Sequence, residues 1–303
     1  MLTIEEREFL RLKRTLNLRN LEGFGYPKPV LASILSQKIV ERVKARHPIY
    51  VRKLDAIAEF WKEKGRFPNW LKAPPMIKVR LLLKGLGYTK SEIRRFVNDP
   101  DSVEDEKLRS LIWKAVTTDF IYSPIAVKFQ QIKGRIGEEI VRNWLESLGV
   151  DFLSEDDLRG NGGKTPDFLL ERPLNGFKWI ESKAMFGDTS THSLYWRRQF
   201  REYIKTFGKG VVVYWFGHVS NLFPATTGSE MGKFPDMKVY VSDEGLDLGE
   251  PFTKDFLKNM LDLLDKFRER ERMVIKPNRW AETLLSRLGF EVLPMMNRRT
   301  SEG

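Results

Sequence analysis

The sequence predicts an α/β protein in which an all-helical N-terminal domain is followed by a domain with a mixed sheet. Residues 1–122 show helical apolar spacing and turn signals but no convincing strand alternation. After them, short β-like runs alternate with helical segments. The charge balance changes at the same place, from 25 Lys/Arg against 15 Asp/Glu in residues 1–122 to 27 against 26 in residues 123–303. We therefore predict two domains, 1–122 and 123–303.

The basic excess of the first domain is typical of a module that binds a polyanion such as nucleic acid. A generically basic, soluble domain is the alternative. We predict that Pro48 separates the second helix of this domain from the third. The predicted helices cover about 3–18, 29–46, 50–64, 75–86, 90–98 and 105–119.

The fourth and fifth of these helices have the pattern of a helix-turn-helix. Thr89 and Glu92 have the spacing of a capping box at the start of the fifth helix. That helix would present Lys90, Arg94 and Arg95 outwards, where they could contact nucleic acid. An antiparallel helix pair with no such contact is the alternative.

Composition excludes several classes of site. There is no cysteine, so disulfides, Cys-ligated zinc and thiol nucleophiles are ruled out. The three histidines are widely spaced, which makes a histidine-based zinc site unfavourable and leaves an oxygen-ligated ion such as Mg²⁺. The apolar runs are too short to cross a membrane, and the charged N-terminus resembles no signal peptide. We therefore expect a cytoplasmic protein without membrane partners.

The second domain has an α/β order, with a small mixed sheet flanked by helices. We predict helices at about 125–148, 191–207, 253–270 and 277–288. The predicted strands lie at about 151–154, 167–172, 178–185, 211–216 and 238–241.

Two of these strands carry charged residues that suit phosphodiester chemistry. Glu181 and Lys183 lie two apart, so they face the same side of a strand that is otherwise apolar. Asp167 follows Pro166 at the start of the preceding strand. A carboxylate pair with a neighbouring cation could hold a divalent ion and stabilise phosphate charge. A simple ion pair between Glu181 and Lys183 on an exposed strand face is the alternative.

The turn between the two strands raises a difficulty about register. Asn175-Gly176 is a strong hairpin signal. A two-residue loop there would place Asp167 opposite Ala184, on the face away from Glu181. We therefore predict either a longer loop or a β-bulge near Pro166 that turns Asp167 back to the same face.

Helices on either side of the sheet offer further polar groups. Glu138 lies at the edge of the apolar face of the first helix, although a solvated first-turn glutamate is the alternative. Gln199 shares a helical row with Tyr203 and could hydrogen-bond a carboxylate or a water molecule. Basic residues that could contact phosphates lie on the same helix and in the loop before Asp167, namely Arg197, Arg198, Arg201 and Lys164.

The order Gly137-Glu138, Thr165-Pro166-Asp167, Glu181-Ser182-Lys183 and Gln199 resembles the PD-(D/E)XK nuclease superfamily, which includes archaeal Holliday-junction resolvases. The longer segments 165–170 and 179–188 resemble the TPD-motif family, which has archaeal members and a codanin-interacting nuclease as its animal member. The resemblance implies a restriction-endonuclease-like domain behind helix-turn-helix-like helices. It also implies an active constellation of Glu138, Asp167, Glu181 and Lys183, with Gln199 as an accessory.

These expectations combine into a Mg²⁺- or Mn²⁺-dependent nuclease that acts on DNA in preference to RNA. Asp167 and Glu181 would hold the metal, with Glu138 as a further ligand, and Lys183 would orient water or stabilise phosphate charge. The resemblance to resolvases leaves a homodimer open, and it implies a nucleoid location in an archaeon or a nuclear one in an animal. Two alternatives remain: a nuclease fold that binds nucleic acid or protein without turnover, and an RNA-processing nuclease.

Overall fold

The computed structural model describes residues 2–21, 23–158 and 163–222. The predicted strand at 238–241 and the predicted helices at 253–270 and 277–288 lie outside these residues. Contacts divide the chain into two compact units. Among the described residues, one unit combines those up to residue 34 with residues 132–222, and the other contains Leu35–Gln131. The domain division at residue 122 stays a prediction.

The second unit is helical and has its own core. Fully buried residues such as Ile57, Leu82 and Ile112 pack together at its centre. The elements of the second unit are α2 (Lys28–Val51), which begins in the first unit, α3 (Leu54–Lys64), α4 (Pro75–Gly85), α5 (Lys90–Asn98), a 3₁₀ turn (Pro100–Ser102) and α6 (Glu106–Thr118). Within all the described residues, no helix is long and apolar enough to span a membrane.

Two local predictions for this unit have different outcomes. The break at Pro48 is wrong, because α2 continues through that proline to Val51. The capping box is confirmed: the Glu92 amide donates to the Thr89 hydroxyl at 3.2 Å, and the Thr89 amide donates to Glu92 Oε2 at 2.8 Å. Helix α5 therefore begins where its sequence indicates.

The first unit contains a four-stranded mixed sheet with the strand order β2 (Phe152–Ser154), β3 (Phe168–Leu174), β4 (Phe177–Lys183), β5 (Gly210–Tyr214). Pairing is antiparallel between β2 and β3 and between β3 and β4, and parallel between β4 and β5. The mixed sheet is thus confirmed. The elements are α7 (Pro124–Ser147), which begins in the helical unit, β2 (Phe152–Ser154), α8 (Glu155–Leu158), β3 (Phe168–Leu174), β4 (Phe177–Lys183), α9 (Thr189–Tyr195), a π-helical turn (Trp196–Phe200), α10 (Arg201–Phe207) and β5 (Gly210–Tyr214).

A second, two-stranded sheet was not anticipated. Strand β1 (Thr3–Ile4) pairs in parallel with β6 (His218–Val219), and helix α1 (Glu6–Thr15) follows β1. Two residues are too few to show strand alternation, so the sequence carries no signal for these strands. Phe9 of α1 stacks on Phe186, with ring centroids 5.5 Å apart. The start of the chain therefore packs beside the segment that follows β4.

The hairpin between β3 and β4 resolves the register difficulty in an unexpected way. Leu174 pairs with Phe177, so the loop is the two residues Asn175 and Gly176, both with positive φ (52° and 82°). Further from the turn, Leu169 pairs with Trp179. Between these pairs β3 advances five residues and β4 only two, which leaves three extra residues in β3.

This offset determines the direction of the Asp167 side chain. Side chains alternate between the faces of a strand, so an odd offset moves Asp167 to the other face. Phe168 pairs with Ile180, and continuing this register brings Asp167 beside Glu181. The prediction of a longer loop is wrong, and so is the predicted position of the β-bulge near Pro166. The irregularity lies between Leu169 and Leu174.

Candidate active site

Two hydrogen bonds tie the carboxylates of Asp167 and Glu181 to the backbone of the neighbouring strand. The Asp167 amide donates to Glu181 Oε2 at 3.3 Å, and the Ser182 amide donates to Asp167 Oδ2 at 2.7 Å. Each carboxylate therefore accepts from the backbone of the other strand or its continuation. The arrangement fixes both side chains at the open end of the β3–β4 ladder.

Lys183 completes a three-residue cluster with these acids. Its ammonium group forms a hydrogen-bonded ion pair with Glu181 Oε1. Glu181 is only 1% exposed, and the Lys183 side chain is 15% exposed. The alternative of an exposed strand pair is therefore wrong.

Burial and mutual repulsion shift the titration of the acid pair. Burial first, and then the charge of Asp167, raise the pKa of Glu181 to about 7 against the opposing effect of Lys183. Burial also raises the pKa of Asp167, while Lys183 and the Ser182 amide lower it. Burial lowers the pKa of Lys183, but the two carboxylates outweigh this effect and the net shift is upward. Lys183 is therefore a cation at neutral pH.

Glu138 on α7 belongs to the same electrostatic neighbourhood. It is half-buried. Its pKa is raised by burial first and then by the charges of Asp167 and Glu155, while Lys183 and Arg135 lower it. The structure thus brings Glu138 near the cluster, without a direct hydrogen bond from it to either acid among the contacts described.

Glu155 is a further acid that the sequence did not indicate. It follows β2, and its amide donates to the Asp167 carbonyl at 3.2 Å. Its charge raises the pKa of both Asp167 and Glu138. A single glutamate after a three-residue strand has no distinctive spacing, so only the pairing of β2 with β3 reveals it.

Close packing of α7 on the sheet depends on Gly137. A Cβ atom at this position would lie 2.4 Å from Trp215 Nε1 and 2.8 Å from Ser182 Oγ. These two neighbours are themselves hydrogen-bonded, with Trp215 donating to Ser182 at 2.7 Å. Gly137 therefore allows the helix that carries Glu138 to lie against the strand that carries Glu181.

The helix from 189 to 207 forms another wall of the site. The Lys183 ammonium lies 5.1 Å from the Tyr195 ring centroid, and the Tyr203 hydroxyl donates to the Thr165 carbonyl at 2.7 Å. Gln199 lies between these tyrosines along the chain, in the π-helical turn. Gln199 Oε1 is buried and accepts no hydrogen bond from the described residues. Such turns are often found at functional sites.

The predicted phosphate-binding residues have varied surroundings. Arg197, Arg198 and Arg201 are exposed on the 189–207 helix, and Lys90, Arg94 and Arg95 are exposed on α5. Lys164 donates to the carbonyl of Arg198, so the segment before Asp167 is tied to that helix. Contact between any of these residues and nucleic acid stays a prediction.

The cluster suits an ion that needs few protein ligands. Among the described residues, no group of three or more His, Asp or Glu side chains is arranged to hold a metal. Mg²⁺ commonly takes only one or two protein carboxylates and keeps several waters. The mutual repulsion of Asp167 and Glu181, which helps to raise the pKa of Glu181, is what a bound cation would relieve. The two residues therefore fit Mg²⁺ or Mn²⁺, and Glu138 as a direct ligand stays a prediction.

Comparisons with known proteins place this chain in a family. A family model described as "Protein of unknown function TPD sequence-motif" matches residues 104–231. CDAN1-interacting nuclease 1 of Bos taurus and that of Homo sapiens are each 30% identical over 237 residues, which is 68% of this chain and 83% of the relative. The Xenopus laevis protein of that name is 31% identical over 216 residues, 63% and 71% of the two chains.

The chain therefore belongs to the TPD-motif family of the CDAN1-interacting nuclease 1 proteins. No solved structure matches it.

Proposed function

We propose that this protein is a divalent-metal-dependent nuclease of the PD-(D/E)XK type, with DNA as the favoured substrate. The observation that carries the proposal is the buried cluster of Asp167, Glu181 and Lys183 at one end of a strand pair. The name of the relatives, CDAN1-interacting nuclease 1, suggests the same class of activity.

Asp167 and Glu181 would hold the ion. When bound, a divalent ion supplies charge for a phosphoryl oxygen and lowers the pKa of a water molecule. The two carboxylates are already fixed by the backbone amides of Ser182 and Asp167, so little reorganisation is needed on binding.

Lys183 would stabilise the phosphate. Its raised pKa keeps it positively charged at neutral pH, so its role is electrostatic rather than that of a proton acceptor. Tyr195 limits where the ammonium can lie through its ring contact, and Glu181 orients it from the other side. The ammonium is thus held beside Glu181, one of the two carboxylates that would hold the ion.

Gln199 would contribute a hydrogen bond. Its buried carbonyl oxygen accepts no hydrogen bond from the part of the chain that the structure describes and needs a donor, because an unsatisfied buried acceptor costs about 1–3 kcal/mol. A water molecule in the site is a suitable donor. The exposed arginines of the same helix, Arg197, Arg198 and Arg201, would bind the backbone phosphates of the substrate.

The test compares Asp167→Asn with Asp156→Asn. Both changes remove one carboxylate charge, but Asp156 is exposed on α8. Purified proteins are incubated with duplex, branched, flap and single-stranded DNA and with RNA, in Mn²⁺ and in EDTA. Asp167→Asn should reduce Mn²⁺-dependent cleavage by at least about a hundredfold, since even indirect ligand partners cost 10–100-fold. DNA binding in EDTA should persist.

Each arm has a distinct outcome. Undiminished cleavage by Asp167→Asn would contradict the assignment of the site. Binding by the natural protein without cleavage on any substrate would favour a scaffold. Preferential cleavage of RNA would favour an RNA-processing enzyme on the same fold.

A further inference from the structure

A long stretch of the helical unit carries positive charge without any acid. Between Glu63 on α3 and Glu92 on α5, the chain has no Asp or Glu. The stretch includes all of α4 and the loop before it, residues 65–74. Seven basic residues lie in it: Lys64, Arg66, Lys72, Lys78, Arg80, Lys84 and Lys90.

The loop at 65–74 presents a tryptophan to solvent. Trp70 is 41% exposed, whereas the adjacent Leu71 is 1% exposed. The backbone around it is held in place: the Leu71 amide donates to the Pro68 carbonyl at 3.0 Å, and the Tyr50 hydroxyl donates to the Lys72 carbonyl at 3.0 Å. Trp70 therefore projects from a fixed loop.

One cation lies over this indole ring, and others belong to the same loop. The Lys53 ammonium lies 5.1 Å from the Trp70 ring centroid. Arg66 and Lys72 are exposed in the same loop. Burial lowers the pKa of Lys78, and the nearby charge of Lys72 lowers it further. An exposed aromatic ring thus lies within a field of positive charge.

We propose that residues 65–74, with Lys53, bind an unpaired stretch of nucleic acid, with one base stacked on Trp70. This inference rests on the proposed function and adds a substrate class, nucleic acid with a single-stranded portion. Aromatic stacking needs an accessible base face, and cations around the ring complement the flanking phosphates. Intact duplex offers the phosphates but keeps its base faces stacked.

This site differs from the one predicted for α5. Lys90, Arg94 and Arg95 offer charge to a phosphate backbone but no exposed tryptophan. The Trp70 site would therefore distinguish single strands from duplex, which backbone contacts alone do poorly. The acid-free sequence around it disfavours a basic protein partner.

The experiment measures binding in EDTA, so no cleavage intervenes. A labelled single-stranded oligonucleotide and the blunt duplex of the same sequence are titrated with the full-length protein. Trp70→Leu should weaken single-strand binding by about five- to hundredfold, the range for loss of one base–aromatic stack. Trp70→Phe should retain most of the affinity for the single strand, because phenylalanine keeps an aromatic ring. Ile49→Ala, which alters another exposed apolar side chain of this unit (53% exposed), should have no effect.

A second measurement uses the unaltered protein. An oligonucleotide with 5-iodouracil crosslinks to an aromatic side chain stacked on that base. The crosslinked peptide should contain Trp70, and a crosslink elsewhere only would overturn the proposal. Equal losses on single strand and duplex in Trp70→Leu would also overturn it. If the natural protein binds no nucleic acid at all, the proposed function fails together with the Trp70 site. If it binds but Trp70 takes no part, only the Trp70 site fails.

Discussion

At the residue scale, His192 shows how burial fixes a protonation state. It is fully buried (0% exposed), and its Nδ1 lies 2.9 Å from the Tyr214 hydroxyl. Nε2 is buried without a hydrogen-bond partner among the described residues. Burial, and to a smaller degree the charge of His218, lower the pKa of His192 to about 4. The ring is therefore neutral near pH 7.

This shift has a direction that unfolding experiments can check. The unfolded chain binds a proton on His192 near pH 6.5, while the folded protein resists it down to about pH 4. The stabilisation is therefore complete above about pH 6.5 and is lost as the pH falls towards 4. The loss should approach roughly 3 kcal/mol. As the pH is lowered over this range, the free energy of unfolding measured by urea titration should fall less steeply for His192→Gln than for the natural protein.

The exposed His47 provides the control. Because its side chain is exposed, His47→Gln should change the free energy of unfolding by no more than about 0.5 kcal/mol. An identical slope in His192→Gln and the natural protein would show that His192 does not titrate as described.

At the element scale, α7 contains two glycines that differ in what surrounds them. A Cβ at Gly137 would meet Trp215 and Ser182 at 2.8 Å or less, whereas the nearest atom to a Cβ at Gly134 is Glu138 Oε1 at 4.0 Å. Gly137→Ala should destabilise the protein by about 1–3 kcal/mol through overpacking. Gly134→Ala should stabilise it by about 0.5–1 kcal/mol, as alanine is the better helix former.

Thermal and urea unfolding of the two variants measure this difference. Both changes add one methyl group to the same helix, so the pair isolates packing from helix propensity. Equal stability of the two variants would mean that α7 does not pack closely on Trp215.

The elements also show which parts of the fold were predictable. Helix α5 has the predicted bounds because its capping box is local. The two-residue turn at Asn175-Gly176 was equally recognisable, since both residues tolerate positive φ. The extra residues in β3 and the π-helical turn at 196–200 were not, because both depend on tertiary packing.

The candidate site likewise has parts that the sequence could predict and parts that it could not. Spacing alone put Glu181 and Lys183 on one face, and the structure agrees. The approach of Asp167 required the register of β3 on β4, and the approach of Glu155 required the pairing of β2 with β3. A single sequence specifies alternation within a strand but not the offset between two strands.

At the scale of the whole molecule, the first residues of the chain belong with the sheet rather than with the helices that follow them. Phe9 is 3% exposed and stacks on Phe186, whereas the adjacent Leu10 is 54% exposed. Phe9→Ala should lower the free energy of unfolding by about 3–5 kcal/mol. Leu10→Ala should change it by no more than about 0.5 kcal/mol.

Urea unfolding of the full-length chain compares these neighbours directly. Because Phe186 follows β4 by three residues, hydrogen exchange in Phe9→Ala should also increase for the amides that follow Lys183. Protection equal to that of the natural protein would show that α1 does not support this segment.

The three extra residues of β3 restrict which changes in length the hairpin can accept during evolution. Removing one residue between Leu169 and Leu174 would leave the turn and both strands able to form. It would also swing Asp167 to the far side of the sheet from its partner Glu181. Length changes here can keep Asp167 beside Glu181 only in steps of two, so a relative with a single-residue gap in this segment would form the hairpin but carry the two acids on opposite faces of the sheet.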